Sequence, residues 1–434
     1  MTPRDSERDH GPPPANGGGP WHSRMTRRTV LSSAAMLGVD RVLAEPAAAA
    51  AADDASATVP FHGPRQAGIA TPQQRDLVFA AFDLTTSSRR ALRTLLQEWT
   101  DAAVALTAGR AVAPAGSSPR RGPSDPGEAA GLPAAQLTLT FGFGPTLFEA
   151  DGRDRFGLAH VRPTVLEPLP PFQGELLDPA GSGGDLCVQA CANDPQVAFH
   201  AIHVLARIAG SDAILRWAQR GFWPVAATPA GPTPRNLLGF RDGTANIRGD
   251  DEAALDRFVW VQPSDGPAWM HGGSYLVVRR IELMFESWDP LPLAEQERAI
   301  GRHKASGAPL GTRSEGDPLD LRATDARGNP LIPADAHVRV ASAAANGGQR
   351  ILRRGYSYSG GSRPGPLDKG GHQIDGGLFF IAFVRDPQRQ FVPLQRRLAT
   401  NDALSMFTVH TASAIFACPP GTPKHGFVGE HLFT

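Results

Sequence analysis

The sequence predicts an α+β fold made of two ferredoxin-like units. The chain has 434 residues, which is more than one typical domain and favours two. Hydrophobic patterns in the first half follow the order strand, helix, strand, strand, helix, strand, which is the order of the ferredoxin-like split βαβ unit. The second half repeats this order, so the sequence predicts two copies of one unit.

The first unit is predicted at residues 61–227. Apolar or alternating runs indicate strands, and apolar residues at helical spacing indicate helices. The strands are expected at residues 76–84, 136–143, 185–191 and 214–225, and the helices at residues 89–106 and 194–208. Asp194 is a favourable capping residue and Pro195 suits the first turn, so they mark the start of the second helix. A loop rich in Pro, Gly and Ser is expected at residues 109–133.

The second unit is predicted at residues 228–434, and its boundary lies in the most linker-like segment of the chain, Thr-Pro-Ala-Gly-Pro-Thr-Pro. A short strand is expected to end near His337. The other strands are expected at residues 274–283 and 377–384, and the helices at residues 293–303 and 394–402. Residues 305–328 are expected to form an inserted loop.

Residues 1–60 are predicted to be a targeting segment and a disordered tail. Thr-Arg-Arg-Thr-Val-Leu at residues 26–31 places an arginine pair before a modestly apolar run and an Ala-rich stretch. This pattern is typical of twin-arginine signals, which export folded proteins. Asp40 and Arg41 interrupt the apolar run, so the alternative is a disordered tail with a chance arginine pair. The signal predicts a periplasmic, cell-envelope or secreted protein.

The composition limits the classes of function. The chain has 43 basic and 43 acidic residues and zero net charge, which argues against binding to nucleic acid. No segment after the signal has the roughly 20 apolar residues that span a bilayer, so the mature chain is expected to be soluble. The three cysteines, Cys187, Cys191 and Cys418, do not form a disulfide framework because their number is odd. We expect Cys187 and Cys191 to be small buried residues.

Three short segments carry candidate catalytic side chains. Gly-Phe-Arg-Asp-Gly-Thr-Ala-Asn occupies residues 239–246, Asp-Ala-His-Val-Arg residues 335–339, and Arg-Ile-Leu-Arg-Arg-Gly residues 350–355. Taken singly, an Asp-Gly pair usually forms a turn, a lone histidine is usually structural, and an arginine pair is usually solvated. Together the segments supply a base, a metal ligand and a cation.

With these segments, the chain resembles the dye-decolourising haem peroxidases, in the exported branch that includes the deferrochelatases of ferrous-iron uptake operons. The resemblance leaves out only about the first sixty residues and two long loops. It also takes in residues 61–64, 137–144, 185–191, 353–358 and 377–383. The resemblance implies that the two units pack as a dimeric α+β barrel, with the cofactor in the second unit.

The resemblance implies a role for each of the three segments. His337 would be the axial ligand of the haem iron. Asp242 would lie on the opposite, distal face, where a carboxylate can take a proton from peroxide and return it. Arg353 would stabilise the charge that develops in this reaction. Adjacent side chains of a strand face opposite ways, so only one of Arg353 and Arg354 can face the iron, and the family pattern favours Arg353.

Other residues are assigned to the haem by the same resemblance. The haem is expected to be b-type because the chain has no Cys-x-x-Cys-His sequence. Small residues would let the backbone approach the haem edge, and the following asparagine would orient the distal loop: Gly243, Thr244, Ala245 and Asn246. Related chains often have Asn-Pro-Arg after the axial histidine, whereas this chain has Ser-Ala-Ala at residues 342–344, which puts the propionate contact expected there in question.

Two assignments near the haem keep a structural alternative. Asp386 is a candidate for the carboxylate that bonds to the axial histidine, and a surface turn before Pro387 explains it equally well. Three phenylalanines of one predicted strand are expected either to line the haem pocket or to belong to an ordinary hydrophobic core: Phe379, Phe380 and Phe383.

The remaining histidines are weaker candidates for metal ligands. His200 and His203 share one face of the predicted helix, but no third ligand is recognisable in the sequence, so a solvated face is expected. His62, His271 and His372 neighbour glycines and are expected in loops.

The predicted function is a haem b peroxidase that uses hydrogen peroxide to oxidise dyes and other bulky aromatic donors. The alternative is a deferrochelatase that releases iron from haem and leaves the porphyrin intact, with partners of ferrous-iron uptake in the cell envelope. A haem-binding carrier is the second alternative, and it would need neither Asp242 nor Arg353. The resemblance allows a homodimer.

Overall fold

The computed structural model describes residues 57–112, 125–224, 233–364 and 372–434. The predicted export segment therefore lies almost wholly outside the described residues, as does the predicted domain boundary at residue 228. Within the described residues, no helix combines the length and the apolar character needed to cross a bilayer.

The first half contains the predicted ferredoxin-like order of elements. The strands are β1 (Asp76–Leu84), β2 (Thr138–Phe143), β3 (Leu186–Ala192) and β4 (Ala213–Phe222), and the helices are α1 (Arg89–Thr107), α2 (Pro145–Phe148) and α3 (Pro195–Ala209). Ser88 caps α1 by accepting a hydrogen bond from the backbone N–H of Ala91. Asp194 caps α3 in the predicted way, with Pro195 in the first turn.

The second half repeats this order with extra short elements. Its helices are α4 (Glu252–Phe258), α5 (Phe285–Trp288), α6 (Leu293–Ile300), α7 (His337–Val340) and α8 (Phe391–Asn401), and its strands are β5 (Ser274–Leu283), β6 (Leu352–Arg353), β7 (Tyr356–Pro364), β8 (His372–Val384) and β9 (Thr408–Cys418). No helix or strand lies between Ile300 and His337, which confirms the loop predicted at residues 305–328.

The strands form one closed sheet. Their order is β5-β9-β2-β3-β1-β4-β7-β8-β6, and β5 also pairs with β8. The β5–β8 pairing closes eight strands into a barrel, to which β6 adds through β8. Each half has the same internal order, β2-β3-β1-β4 and β7-β8-β5-β9, and all neighbours are antiparallel. The predicted fold of two ferredoxin-like units packed as an α+β barrel is confirmed.

Strand β1 explains why the barrel strands have continuous apolar runs. Its side chains alternate between two faces, and both faces are buried. Leu77, Phe79 and Ala81 belong to a core that includes residues of the second half such as Phe416. Val78, Ala80 and Phe82 belong to a second core, which includes side chains of α1 and α3. A strand that is buried on both faces has no polar side to show in its sequence.

Two expectations for the second half are wrong, and one strand was not predicted. His337 begins the short helix α7 and does not end a strand, so β7 is the second strand of this unit. Strand β9 was not predicted, and the first half of this strand is only partly buried. His372 is the first residue of β8 and does not lie in a loop.

Buried cysteines occur where two of them were expected. Cys187, Cys191 and Cys418 are all unpaired and buried, which confirms that Cys187 and Cys191 are small core residues. Since β2, β3 and β9 are neighbours, two of these thiols lie close to Gly142, where an added Cβ would be 2.8 Å from the Sγ of Cys187 and 3.2 Å from that of Cys418.

Candidate functional site

Asp242 is presented by a tight loop whose shape is set by its own sequence. The side-chain oxygen of Asn236 accepts hydrogen bonds from the backbone N–H groups of Leu238 and Phe240, at 3.0 and 3.2 Å. Gly239 has a φ of 83°, a left-handed conformation that favours glycine. The N–H of Asp242 then donates to the carbonyl of Pro234 at 2.9 Å. The backbone before the carboxylate is therefore fixed on both sides of the turn.

Asp242 and Arg353 form an ion pair. The Nη1 of Arg353 donates to the Oδ1 of Asp242 at 2.7 Å, and the exposed fraction is 16% for the Asp242 side chain and 33% for the Arg353 side chain. Burial alone raises the pKa of Asp242, but the charge and hydrogen bond of Arg353 outweigh it, with smaller contributions from His337 and Asn236. The pKa of Asp242 is thus lowered from its ordinary value, and this carboxylate is ionised at neutral pH.

Asn246 holds Arg353 in place through its backbone. The N–H of Arg353 donates to the Oδ1 of Asn246 at 2.9 Å, and the Nδ2 of Asn246 donates to the carbonyl of Arg353 at 2.6 Å. The Asn246 amide therefore pairs with one edge of β6, while β6 pairs with β8 through Arg353 and Ala382. Asn246 joins the loop that carries Asp242 to the strand that carries Arg353.

Arg354 points away from Asp242. Its guanidinium contacts the carbonyl of Thr71 and the side chain of Gln74, and it donates to the carbonyl of Pro72 at 3.2 Å. Arg354 is buried. The alternation along β6 and its continuation thus brings Arg353, and not Arg354, to Asp242.

A cavity opens beside the ion pair. It measures about 220 Å³, or about 650 Å³ of empty space with its solvent-open mouth. The lining residues that matter most here are Asp242, Gly243, Asn246, Arg353, Trp223 and Phe380. Gly243 has a φ of 119°, which an L side chain rarely adopts, so glycine is required immediately after the carboxylate. The cavity lining therefore includes both charged or polar side chains and aromatic ones.

His337 is oriented by a carboxylate that is almost completely buried. The Nδ1 of His337 lies 2.6 Å from the Oδ2 of Asp402, and the exposed fraction is 35% for the His337 side chain and 5% for the Asp402 side chain. Burial alone lowers the pKa of His337, but the charge and hydrogen bond of Asp402 outweigh it, so the pKa is raised from its ordinary value of 6.5. A carboxylate at Nδ1 fixes Nδ1 as the protonated nitrogen of a neutral ring.

Backbone hydrogen bonds join the segment that carries Asp402 to the segment that carries His337. The N–H of Ala403 donates to the carbonyl of Asp335 at 2.9 Å, and the Oδ1 of Asp402 accepts from the N–H of Leu404 at 2.9 Å. A small apolar core includes Phe240 of the Asp242 loop, and Val338 and Leu404 pack against it. One core thus supports both the Asp242 loop and the His337 segment.

These residues fit a haem group. Among the described residues, the Nε2 of His337 has no hydrogen-bond partner, and Nε2 is the nitrogen that an iron ion would take while Asp402 holds Nδ1. The charges of both Asp242 and Arg353 act on His337, and the loop of Asp242 and the segment of His337 share one small core through Phe240 and Val338. His337 could hold the iron, and the cavity beside Asp242 and Arg353 could receive a small molecule such as peroxide.

The structure separates the other residues predicted near the cofactor. Gly243 and Asn246 line the cavity. The Oγ1 of Thr244 donates to the Oε1 of Glu315 at 2.8 Å, and Ala245 is exposed. Of the three phenylalanines, Phe380 lines the cavity, whereas Phe379 and Phe383 belong to the barrel core.

The residues after α7 form hydrogen bonds with one another and with the end of α7. The Oγ of Ser342 donates to the carbonyl of Arg339 at 2.8 Å, and the Nδ2 of Asn346 donates to the carbonyls of Val340 and Ser342 at 2.9 and 2.8 Å. Residues 342–344 are Ser-Ala-Ala and contribute no cation here.

The expectation that Asp386 bonds to the axial histidine is wrong. The Oδ1 of Asp386 accepts from the backbone N–H groups of Gln388 and Arg389, at 2.9 and 3.0 Å, as expected for the alternative of a turn before Pro387. Asp402 takes the place at His337. Its sequence signal is that of a capping residue, since it follows α8 and caps the next short turn, and no local pattern shows that it faces His337 65 residues earlier in the chain.

Other histidines are placed away from this region. His62 bonds to the carbonyl of Thr422 at 3.2 Å, and His271 to that of Gly266 at 3.3 Å. Both lie outside strands and α-helices, as expected. The expectation of a solvated face at His200 and His203 is wrong, because His200 is only 4% exposed and bonds to Glu128.

Comparison with protein families places nearly all of the described chain. A family model described as Dyp-type peroxidase, N-terminal, matches residues 66–223, and one described as Dyp-type peroxidase, C-terminal, matches residues 233–423. Together they cover both halves of the barrel and include Asp242, His337 and Arg353 in the C-terminal match.

Individual relatives agree with the family models. A dye-decolorizing peroxidase of Thermobifida fusca (strain YX) is 41% identical over 383 residues, which cover 85% of this chain and 83% of that protein. A deferrochelatase of Escherichia coli (strain K12) is 38% identical over 368 residues, covering 83% and 84%. A solved structure of DtpA from Streptomyces lividans, described as an X-ray generated oxyferrous/water mixed complex, has a TM-score of 0.79 at 41% identity and covers 88% of this chain and 99% of its own. The chain therefore belongs to the haem-dependent Dyp-type peroxidase family.

Proposed function

We propose that the protein is a haem b peroxidase that uses hydrogen peroxide to oxidise dyes and other bulky aromatic donors. The ion pair of Asp242 and Arg353 beside a cavity is the observation that carries this proposal. An ionised carboxylate is a base, and an arginine beside it is a fixed positive charge, and both are needed to move a proton within peroxide and to stabilise the charge that develops. Membership of the family supports the same activity.

When bound, the haem would supply an iron ion that exchanges electrons with peroxide. His337 would hold the iron through Nε2, and Asp402 would keep the Nδ1 proton in place and make the imidazole a stronger donor. Asp242 accepts a proton from peroxide and returns it to the departing oxygen. Arg353 donates to the anion that forms, and Asn246 keeps its strand in register with the loop of Asp242.

The proposed haem type is b. Covalent attachment of c-type haem needs a Cys-x-x-Cys-His sequence, which this chain lacks. The three cysteines are all buried and belong to the core that Phe379, Phe416 and other barrel residues form. Coordination by His337 and contacts in the cavity would therefore hold the cofactor.

Iron release from haem is the second candidate. A relative named deferrochelatase is 38% identical over 83% of this chain, nearly as similar as the peroxidase relative. In this case haem is the substrate, the porphyrin is left intact, and partners of ferrous-iron uptake in the cell envelope would receive the iron. A carrier role is weaker, because a carrier needs neither the base nor the cation that the structure brings together.

The proposed location is outside the cytoplasm. The arginine pair at residues 27 and 28 and the apolar run after it support export by the twin-arginine route, to the periplasm, the cell envelope or the medium. We propose no nucleic-acid partner, since the net charge is zero. We also propose a homodimer, and only the resemblance to the family supports this part of the proposal.

One preparation of haem-loaded protein separates the three functions. The protein is mixed with hydrogen peroxide and an anthraquinone dye, and dye loss is followed in one sample while free protoporphyrin is measured in another. The peroxidase proposal predicts dye loss that needs peroxide and no free porphyrin. Free porphyrin without dye loss supports iron release and contradicts the first proposal. A protein that binds haem and gives neither product is a carrier.

A further inference from the structure

Four ligand-type side chains meet at one side of helix α3, away from the haem region. His200 and His203 are three residues apart and so lie on the same side of the helix. Asp125 and Glu128, from the loop before β2, lie against them. None of the four lines the cavity beside Asp242.

The distances between these side chains are short. The Nδ1 of His200 lies 2.7 Å from the Oε2 of Glu128, and its Nε2 lies 3.6 Å from the Oδ1 of Asp125. The other carboxylate oxygen of Glu128 contacts the Nδ1 of His203. Asp125, Glu128 and His200 each offer one ligand atom, and these atoms all lie within 4.8 Å of one another.

The Asp125 carboxylate and the backbone of Glu128 are held by bonds that do not involve the histidines. The Oδ2 of Asp125 accepts from the N–H of Val112 at 2.9 Å, and its Oδ1 accepts from the N–H of Gly127 at 2.8 Å. Gly127 has a φ of 85°, which favours glycine at this turn. The side-chain amide of Gln196, in the first turn of α3, donates to the carbonyl of Glu128. The loop is therefore docked on the helix with both carboxylates directed at the histidines.

A divalent transition-metal ion suits this set of donors. Imidazole and carboxylate groups bind Zn²⁺ at about 2.0–2.2 Å, so two ligand atoms on one ion lie up to about 4 Å apart. The ligand atoms of Asp125, Glu128 and His200 lie within 4.8 Å of one another, so a small adjustment of the side chains brings them onto one ion. Ca²⁺ and Mg²⁺ prefer oxygen donors alone, whereas two histidines favour Zn²⁺ or an ion of similar chemistry.

We propose that Asp125, Glu128, His200 and His203 form a binding site for one divalent transition-metal ion. The ion replaces the hydrogen bonds that Glu128 accepts from the two imidazoles and fastens the loop to α3. The site is structural, because it lies in the first half of the barrel and its residues do not reach the cavity of Asp242 and Arg353. His200 is 4% exposed, so the ion would be largely shielded from water on the helix side.

Zinc titration of the haem-loaded full chain tests this proposal. The haem occupies His337, so that histidine cannot take the added ion. After treatment with a chelator, Zn²⁺ is titrated into the protein by calorimetry, and the zinc retained after gel filtration is measured separately from the haem iron. We expect one zinc ion per chain and a higher Tm when zinc is bound, since an ion that binds only the folded state stabilises it.

Two variants and a control locate the zinc. We expect Glu128→Gln to reduce the affinity about a hundredfold or more and His203→Ala about tenfold or more, by loss of a ligand. The side chain of His203 is 39% exposed, so its removal leaves the core intact, and an unchanged haem absorption band verifies the fold of both variants. His425→Ala removes an exposed histidine from another loop and should change nothing. Absence of saturable zinc binding, or binding that Glu128→Gln and His203→Ala leave unchanged, would overturn the proposal.

Discussion

Asp242 is a half-buried carboxylate whose ionisation depends on its neighbours. Burial raises its pKa, and the charge and hydrogen bond of Arg353, with smaller contributions from His337 and Asn236, more than compensate. Arg353 therefore has two effects in the proposed reaction: it stabilises developing negative charge, and it keeps the base ionised in acid. The dependence of the rate on pH separates these effects.

Removal of Arg353 should narrow the pH range of activity from the acid side. The base works when it is ionised, so the rate falls as the pH drops through the pKa of Asp242, which lies below the ordinary value of 3.8. In Arg353→Leu only the smaller contributions of His337 and Asn236 oppose burial, so the pKa of Asp242 should rise and the acid limb of kcat/KM for peroxide should move to higher pH. We expect the rate above this limb to fall as well, by about 10²–10³-fold.

The control for this profile is an arginine in an exposed ion pair. Arg248 pairs with Asp250 and its side chain is 78% exposed, so Arg248→Leu should leave both the limb and the rate unchanged. An acid limb in Arg353→Leu at the same pH as in the unmodified protein would show that Arg353 does not set the ionisation of the base.

Asp402 should determine the protonation of His337 in the haem-free protein. The pKa of His337 is raised because Asp402 outweighs burial, so in Asp402→Asn burial dominates and the pKa should fall below 6.5. NMR titration of the imidazole signals measures this change. Asp386→Asn is the matched control, because Asp386 caps a separate turn, and a pKa of His337 that is the same in all three proteins would contradict the assignment.

At the scale of elements, β6 and the turn after it direct two adjacent arginines to opposite sides. Arg353 reaches Asp242, and Arg354 contacts the segment before β1 on the other side. The period of a strand predicts that the two face opposite ways, and the family resemblance favoured the first as the one that faces the iron. The buried position of Arg354 gives it a structural part in the molecule.

Arg354→Leu should destabilise the protein more than Arg353→Leu. The substitution leaves the carbonyl of Pro72 and the buried side chain of Gln74 without their donor, and each such buried group costs about 1–3 kcal/mol. Arg353 has a side chain that is one-third exposed, so its loss costs less. Denaturant unfolding measures both variants, and an equal loss of stability would show that Arg354 does not tie β6 to the segment before β1.

Local sequence predicted the elements with strong periodicity and missed those without it. Strands β1 and β5 lie where their apolar runs predicted them. The segment at His337 has apolar neighbours in a strand-like pattern, but only four residues form α7, which is too short for a helical period to show. Strand β9 mixes polar and apolar residues in its first half, and its pairing with β5 and β2 cannot be read from the strand itself.

The candidate site shows the same limit. Asp242, His337 and Arg353 were found because each lies in a short motif of the family. Asp402 and Glu315 were not, because their contacts with His337 and Thr244 depend on chain segments 65 and 71 residues away. Asn246 was expected to orient the distal loop. Its two hydrogen bonds to the backbone of Arg353 are also contacts between distant parts of the chain.

At the scale of the whole molecule, the barrel is closed by the pairing of β5 with β8. Gly377 lies in β8 between Glu282 of β5 and Tyr358 of β7. A Cβ at this position would lie 2.0 Å from the carbonyl oxygen of Ile281, and a backbone atom cannot move aside cheaply. Glycine is therefore required where three strands of the barrel meet.

Gly377→Ala should weaken the whole barrel. We expect a loss of about 1–3 kcal/mol in the free energy of unfolding, or more if the strands cannot adjust, and a lower yield of haem-loaded protein. Gly316→Ala is the control, because a Cβ there meets nothing within 4 Å. Thermal unfolding compares the two, and a Gly377→Ala protein as stable as the control would mean that the closure tolerates a side chain.

The proposed base, the proposed cation and the proposed iron ligand all lie in the second half of the barrel. Its second ferredoxin-like unit carries Asp242 before β5, His337 before β6 and Arg353 on β6, so one unit supplies every residue proposed for the reaction. The first unit packs against the other side of the same barrel core. This division explains why the proposed metal site at α3 would affect the stability of the protein and leave the reaction unchanged.

The central claim is that Asp242 is the base for the reaction with peroxide. Haem-loaded protein and its Asp242→Asn variant are mixed with one equivalent of hydrogen peroxide, and the change in the haem absorption band is followed by stopped flow. We predict that the variant binds haem normally and that its rate constant for peroxide is lower by about 10²–10⁴-fold, the usual contribution of a general base. A variant that reacts as fast as the unmodified protein would contradict the account.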